Sequence, residues 1–249
     1  MAMPFSDTTT KNGLIQHVEF LAGLQDTDIS GNATLLKQVT ANLNRYQQKA
    51  VTVILNAQDE WDFDDPNQTD FPIATTPMVA GQRDYSFPAS LKILKIKRVD
   101  ATYDGTNYYE ANPIDSKQIP YGVGNDTLLD THYSINFPRY DMIGNSLRLI
   151  PEATSAQVSA GGLIRIEFLR EAIDFVSTDT TKVPALDTPF QPYISTGAAF
   201  EYCLRNDLVS KANGLAQVLS AMEEQMKVYY GTKQLDREYR LQGYPTNYD

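Results

Sequence analysis

The densest group of chemically active side chains lies at residues 59–65, where five carboxylates are interspersed with Trp61 and Phe63. Closely spaced carboxylates can bind Ca²⁺, but an EF-hand loop also needs a central glycine and a distal glutamate, and neither stands at the required spacing. Negative charge at a helix C-terminus opposes the helix dipole, so the run is not there to stabilise a helix. Three interpretations stay open: a metal site, a contact with a partner, and a solvated helix end anchored by the two aromatic residues.

The histidines and the single cysteine form no recognisable site in the sequence. His17 and His132 have no second ligand at metal-binding spacing, so we expect no zinc site, and His17 is interpreted as structural. Cys203 stands among apolar residues on a predicted helix, which indicates a buried, unreactive thiol. Gly122 and Gly124 follow no clear strand and open no helix, so they indicate a turn and not a dinucleotide-binding loop.

Motifs of the common enzyme classes are absent. The chain has no serine-hydrolase elbow, phosphate-binding loop, zinc-protease helix or Cys-x-x-Cys pair. Carboxylate pairs for glycoside hydrolysis stay open, because their spacing is set by the fold. We therefore expect no enzyme activity and no cofactor, with a carbohydrate-binding or hydrolytic β-module as an alternative.

Composition narrows the classes of partner. Lys and Arg number 21 against 31 Asp and Glu, and the formal charge of −10 repels nucleic acid and anionic membranes. No apolar run is long enough to cross a bilayer, and the first residues lack the features of a signal peptide, so we expect a cytoplasmic product without membrane contact. The 15 tyrosines suit wet protein interfaces, although surface tyrosine on β-structure is the favoured interpretation.

The element that must position the acidic run is a long amphipathic helix predicted over residues 34–61. Ser30 or Asn32 can cap its start, and Pro66 follows its end. At about 1.5 Å per residue it would be roughly 40 Å long, so other elements must pack along it. Its apolar residues recur in steps of three and four, at Leu36, Val39, Leu43, Tyr46, Ala50, Val53, Ala57 and Trp61.

The middle of the chain changes to a period of two, which indicates strands. A slip in the apolar phase between Ile93 and Leu94 predicts a bulge, and Asp104-Gly105 predicts a two-residue hairpin turn. Residues 112–130 are interpreted as a surface excursion, and 155–162 as a flexible connection. Strands are predicted at 83–87, 91–103, 107–110, 132–139, 146–150 and 163–169.

A basic cluster lies on the long predicted strand, where four of the seven residues from 92 to 98 are Lys or Arg. Lys92, Lys95, Lys97 and Arg98 could contact phosphate or an acidic neighbour, although a solvated strand face is the favoured interpretation.

The ends of the chain are expected to differ in order. Residues 1–12 are small and polar and are expected to be loose, and a short helix over 14–22 is ended by Gly23. Helical periodicity returns from Tyr193 and is expected to end at Gly231, leaving a tyrosine-containing arm.

The predicted fold is α+β. A helical layer, built on the long amphipathic helix and the C-terminal helices, spans 1–70 and 185–230. An antiparallel β-sheet or barrel is inserted at 71–184, and an extended C-terminal arm covers 231–249.

Several loosely patterned segments follow one another in a suggestive order: DEWDF at 59–63, TTPMVAGQRDYSFP at 75–88, Val99, the Asp104-Gly105 hairpin, NPID at 112–115, GNSLRLIP at 144–151, PAL at 184–186 and FQPYI at 190–194. In this order, and over most of its length, the chain resembles the head-tail adaptor, or connector, proteins of tailed bacteriophages. Another virion or tail ring component is an alternative.

The resemblance implies a structural protein in the virion neck, made in the host cytoplasm. It implies a ring, commonly a dodecamer, beneath the portal protein, with contacts to neighbouring copies and to a downstream tail or stopper protein. DNA would pass through the ring during packaging and ejection without specific binding, and an acidic channel lining would help it slide. The lining would include Asp59, Glu60 and Asp62. The portal-binding arm would use Arg237, Tyr239, Arg240, Tyr244 and Tyr248.

Overall fold

A computed structural model describes residues 2–58, 73–115, 130, 132–144 and 146–238, with only the backbone described at 58 and 233–238. The predicted α+β class is confirmed. The chain divides into a helical unit, residues 1–70 with 172–249, and a β-unit, residues 71–171. The division places residues 172–184, which the sequence pattern assigned to the β-region, with the helices.

The described residues form five α-helices and seven strands. The helices are α1 (Leu14–Ala22), α2 (Ala33–Gln58), α3 (Ser155–Ser159), α4 (Gln191–Arg205) and α5 (Val209–Glu238). The strands are β1 (Ile73–Pro77), β2 (Asp84–Ser86), β3 (Ile93–Thr102), β4 (Tyr109–Pro113), β5 (Arg139–Ile143), β6 (Ser146–Ile150) and β7 (Leu163–Arg170).

The long helix α2 forms as its sequence predicts. The Asn32 side chain caps it by accepting hydrogen bonds from the backbone N–H groups of Thr34 and Leu35, both at 3.1 Å. The apolar stripe is buried from Val39 to Val53. Helix α2 is described as far as Gln58, so the predicted end at residue 61 lies outside the described residues.

Helices α2 and α4 approach closely because α4 carries a glycine at the contact. A Cβ atom added to Gly197 would lie 2.0 Å from Cδ1 and 2.2 Å from Cγ of Tyr46, so the aromatic ring occupies the space that a side chain would need. The buried Tyr46 ring also packs edge-on against Tyr193, with ring centroids 5.9 Å apart.

Polar side chains of α2 hold the segment that follows the β-unit. Asn44 accepts from the backbone N–H of Phe175 at 2.8 Å and donates to its carbonyl at 3.0 Å. Gln47 donates to the carbonyl of Ile173 at 2.8 Å. These bonds satisfy backbone groups of a segment without regular structure, and they explain why residues 172–184 belong to the helical unit.

The expectation of a loose N-terminus is wrong. The backbone N–H of Phe5 donates to the carbonyl of Lys182 at 2.7 Å, and that of Ser6 donates to Thr180 at 3.0 Å. The Phe5 ring is buried and lies 5.4 Å from the ring of Phe175. Phe5 is an apolar residue among small polar ones, and its burial was not predicted from their composition.

The strands form one curled sheet, a half-barrel, in the order β1-β7-β3-β4-β5-β6-β2. Every pairing is antiparallel except that of β4 with β5, so the predicted purely antiparallel sheet needs this correction. The β-unit has its own hydrophobic core, which includes Met78, Tyr85, Val99, Leu147 and Phe168.

The bulge predicted near Leu94 is confirmed, and a second irregularity lies at Lys97. The predicted two-residue turn at Asp104-Gly105 is wrong, because Ala101 pairs with Tyr109 and leaves a longer loop. Asp104 organises that loop by accepting from the backbone N–H groups of Thr106 at 2.9 Å and Asn107 at 2.7 Å.

Two further sequence predictions in the β-unit are wrong. The predicted strand at 132–139 begins only at Arg139, and the buried Arg83 guanidinium binds Asp130 just before it, at 2.9 Å and 2.5 Å. The connection predicted to be flexible contains α3, whose capping box joins Thr154 and Gln157 reciprocally.

The last helix does not end at Gly231 as predicted. Helix α5 continues through this residue to Glu238. The nearest atom to a Cβ added at Gly231 would be the Ala57 carbonyl oxygen at 3.8 Å, an ordinary contact, so this glycine is neither a helix end nor a tight approach.

Candidate interaction surface

Most of the site residues predicted from the sequence lie outside the described residues. These are Asp59, Glu60 and Asp62 of the acidic cluster and Tyr239, Arg240, Tyr244 and Tyr248 of the arm. The backbone of Arg237 lies in the last turn of α5, which places the start of the predicted portal contact on a helix. The acidic lining and the arm therefore stay predictions.

His17 and Cys203, two of the reactive residues singled out in the sequence, take structural positions. Nδ1 of His17 lies 2.7 Å from Oγ of Ser195, a fully buried hydroxyl on α4, and burial lowers the pKa of His17. Cys203 is buried, as predicted, and burial raises the pKa of its thiol. His132 is exposed just before β5. Within the described part of the chain, no group of three or more His, Cys, Asp or Glu residues is arranged to hold a metal ion.

A different surface emerges on the helical unit, which we call the α5 groove. It is a shallow apolar depression of about 620 Å³ between the turn at Thr188–Phe190 and the C-terminal half of α5. Its lining residues are Pro189, Phe190, Glu224, Gln225, Val228, Tyr229 and Thr232. An apolar centre with a polar rim is typical of protein–protein interfaces.

The floor of the α5 groove is a packed aromatic cluster. The Phe190 ring lies 5.1 Å from Tyr229 and 5.7 Å from Tyr230, and the two tyrosines meet edge-to-face at 5.1 Å. Tyr230 has no exposed surface, and burial together with the nearby negative charge of Asp187 raises its pKa. Burial therefore disfavours a charged Tyr230 phenolate in the floor of the groove.

Helix α5 positions the groove by burying one face and exposing another. Ala212, Leu219, Met226 and Tyr230 are buried in steps that fit one helical face. Val228 lies off that face and is 67% exposed. An exposed β-branched apolar side chain over an aromatic floor is costly to leave in water, so the groove suits a contact that covers it.

Three hydrogen-bonded side chains, Glu223, Tyr193 and Lys49, join α5 to α4 and α2. Glu223 accepts from the Tyr193 hydroxyl at 2.8 Å and from Lys49 at 2.7 Å. Burial opposes the charge of Glu223, but these two hydrogen bonds outweigh it and lower the pKa of the carboxyl. The helix that carries Val228 is therefore held in one orientation against its neighbours.

Only a weak signal for this surface is present in the sequence. The helical periodicity of this region includes apolar residues at Val218, Leu219, Met222, Met226 and Tyr229, whereas Val228 lies outside it. An apolar residue on the polar side of a helix indicates a contact only when its surroundings are known, because single exposed apolar residues are common. The turn at Thr188–Phe190, which completes the groove, is nearly 40 residues away in sequence, and nothing local connects the two.

Comparison with known proteins adds no relative. No protein-family model matches the chain, and no curated protein matches its sequence. Among the helices that the structure describes, none combines the length and the hydropathy that a membrane span requires.

Proposed function

We propose that this chain is a structural head-tail adaptor of a tailed bacteriophage, a subunit of a ring that joins the capsid portal to the tail. The observation that carries the proposal is the α5 groove, an apolar surface on a 30-residue helix that leads into the segment predicted to bind the portal. In a ring, a neighbouring copy would cover this surface.

The order of the two units along the chain supports this role. A helical unit assembled from both ends of the chain, with a β-unit inserted between them, follows the order of segments that resembles the adaptor family. The net charge of −10 suits a channel past which DNA moves without binding. In this proposal the portal protein, neighbouring copies and a downstream tail or stopper protein are the partners, and the ring lies in the virion neck.

Assembly of the purified chain with its portal protein tests the proposal. We expect mass photometry and electron microscopy to show closed rings on the portal. Replacing Val228 with Asp should weaken assembly at least tenfold, because a charge would enter an apolar contact. Val218, 46% exposed on the same helix but outside the groove lining, supplies the matched control, and Val218→Asp should assemble normally.

Two results would separate the surface from the function. Equal assembly of both aspartate variants would remove the α5 groove from the ring contact. Failure of the unmodified chain to associate with the portal, at any concentration at which it stays folded, would reject the adaptor function.

A further inference from the structure

A second groove lies within the β-unit, along the first half of β3, and we call it the β3 groove. It has a volume of about 410 Å³. Its walls include Ile93, Leu94 and Ile96 on the strand, with Phe87 and Met142 from other segments. Leu94 and Met142 are 46% and 43% exposed, so the groove presents accessible apolar surface.

Along this groove, the described strands pair with only one side of β3. Strand β7 pairs with β3 from Ile93 to Thr102, whereas β4 pairs with it only from Val99 to Ala101. Among the described strands, none pairs with the β4 side of β3 between residues 93 and 98. A peptide in extended conformation can add to such an edge through its backbone.

Positive charge borders the same strand. Lys92 and Lys95 line the β3 groove, and the exposed Lys97 follows on the strand. Lys92 lies 3.7 Å from Glu171, and Lys95 and Lys97 also have partners within the chain, so a ligand would share these charges with existing contacts. Arg98 binds Asp100 at 2.7 Å. A ligand for this surface must combine negative charge with apolar side chains and an extended backbone. Nucleic acid supplies the charge but not the aliphatic fit, so a peptide suits it better.

The chain contains a segment of this composition. Residues 59–65 have the sequence DEWDFDD, with five carboxylates and two aromatic rings. As an extended strand, seven residues span about 23 Å, close to the roughly 20 Å of the six β3 residues from 93 to 98. The segment therefore matches the β3 groove in charge, in apolar content and in length.

We propose that the β3 groove binds the acidic segment 59–65 of a neighbouring copy of this chain. The segment would pair with the side of β3 that no described strand contacts between residues 93 and 98, place Trp61 or Phe63 in the groove and direct its carboxylates toward Lys92 and Lys95. This assigns the acidic run to a subunit contact and not to the channel lining. The inference rests on the proposed function, because an adaptor ring brings copies side by side.

Peptide binding to the full-length chain tests the contact. The probe is a fluorescein-labelled peptide of residues 58–66, measured by fluorescence anisotropy. The chain carries Asn or Gln in place of the five carboxylates, so that its own segment does not compete. We expect saturable binding that weakens with salt and falls at least tenfold in a further variant with Lys92→Glu and Lys95→Glu.

Matched variants and a charge exchange complete the test. The control pair Lys37→Glu and Lys227→Glu changes the net charge equally at exposed positions on α2 and α5, and should bind the peptide normally. Copies with Lys92→Glu and Lys95→Glu should associate with copies carrying Asp62→Lys and Asp64→Lys, although neither associates alone. Equal binding by both lysine pairs, or no binding of the peptide, would overturn the proposal.

These outcomes stay distinct from failure of the adaptor function. A chain that forms rings on the portal but does not bind the peptide keeps its proposed function and loses only this contact. A chain that binds the peptide in this way but never associates with a portal keeps the contact and loses the function.

Discussion

The close contact between Gly197 and Tyr46 should make Gly197→Ala destabilising, although the same substitution stabilises most helices. Alanine is favoured over glycine inside a helix by about 1 kcal/mol, so Gly→Ala at an unhindered helical position should stabilise the protein. At Gly197 the new methyl group would lie 2.0 Å from Cδ1 and 2.2 Å from Cγ of Tyr46. The Cγ atom lies at the root of the ring, so it can move aside only if χ1 of the buried Tyr46 changes or if α2 shifts.

Overpacking of a core costs about 1 to 3 kcal/mol, and contacts this short place Gly197→Ala near the upper end of that range. Helix α5 provides a matched control in Gly214, which is exposed and has no atom within 4 Å of an added Cβ. Gly214→Ala should raise the melting temperature by about 2 to 4 °C, and Gly197→Ala should lower it. The two variants should differ by about 3 kcal/mol, roughly 6 to 12 °C.

Thermal melts followed by circular dichroism measure both variants, and a double-mutant cycle locates the cause. In a Tyr46→Ala background these ring contacts are gone, so Gly197→Ala should cost much less stability than it does beside Tyr46. A Gly197→Ala variant that melts at or above the temperature of the unmodified protein would refute the close packing of α2 against α4.

Three further predictions concern stability. Asp104→Ala should lower the urea midpoint at neutral pH. Backbone hydrogen bonds from Asn107 and then Thr106 lower the pKa of the Asp104 carboxyl in the folded protein. The stabilisation that the carboxylate gives is therefore present above its unfolded pKa of about 4, and it is lost as the pH falls toward the folded pKa. An equal difference at pH 7 and pH 2 would contradict this. Asp100→Asn should cost about 1.5 to 3 kcal/mol in urea unfolding at pH 7, because the buried carboxylate accepts from two partly exposed arginines, whereas exposed Asp84→Asn should change little. Asn44→Ala should cost about 1 to 3 kcal/mol through its two bonds to the Phe175 backbone, and an unchanged midpoint would remove those bonds from the account.

The elements with a regular period could be predicted from the sequence. The burial period of α2 and the phase slip in β3 are local, and both appear in the structure. Gly231 looked like a helix end because glycine is a poor helix former, but propensity is a weak preference that the surrounding structure overrides. Thr154 and Gln157 have the spacing of a capping box, but the small residues around them favoured the prediction of a flexible connection.

The features that depend on distant residues could not be predicted. Arg83 and Asp130 are 47 residues apart, so no local pattern could predict their pairing. The α5 groove combines Phe190 with Val228, and the β3 groove combines Leu94 with Met142. Neither surface has a local signature, because each is made by packing between segments that the period of one element cannot specify.

The adaptor function is tested most directly by recovering the tagged chain from infected cells, with and without residues 237–249, and identifying the associated proteins by mass spectrometry. The account predicts that the full chain recovers a portal protein and that the truncated chain does not. Recovery of no virion protein, or of a polysaccharide or metabolic partner, would contradict it.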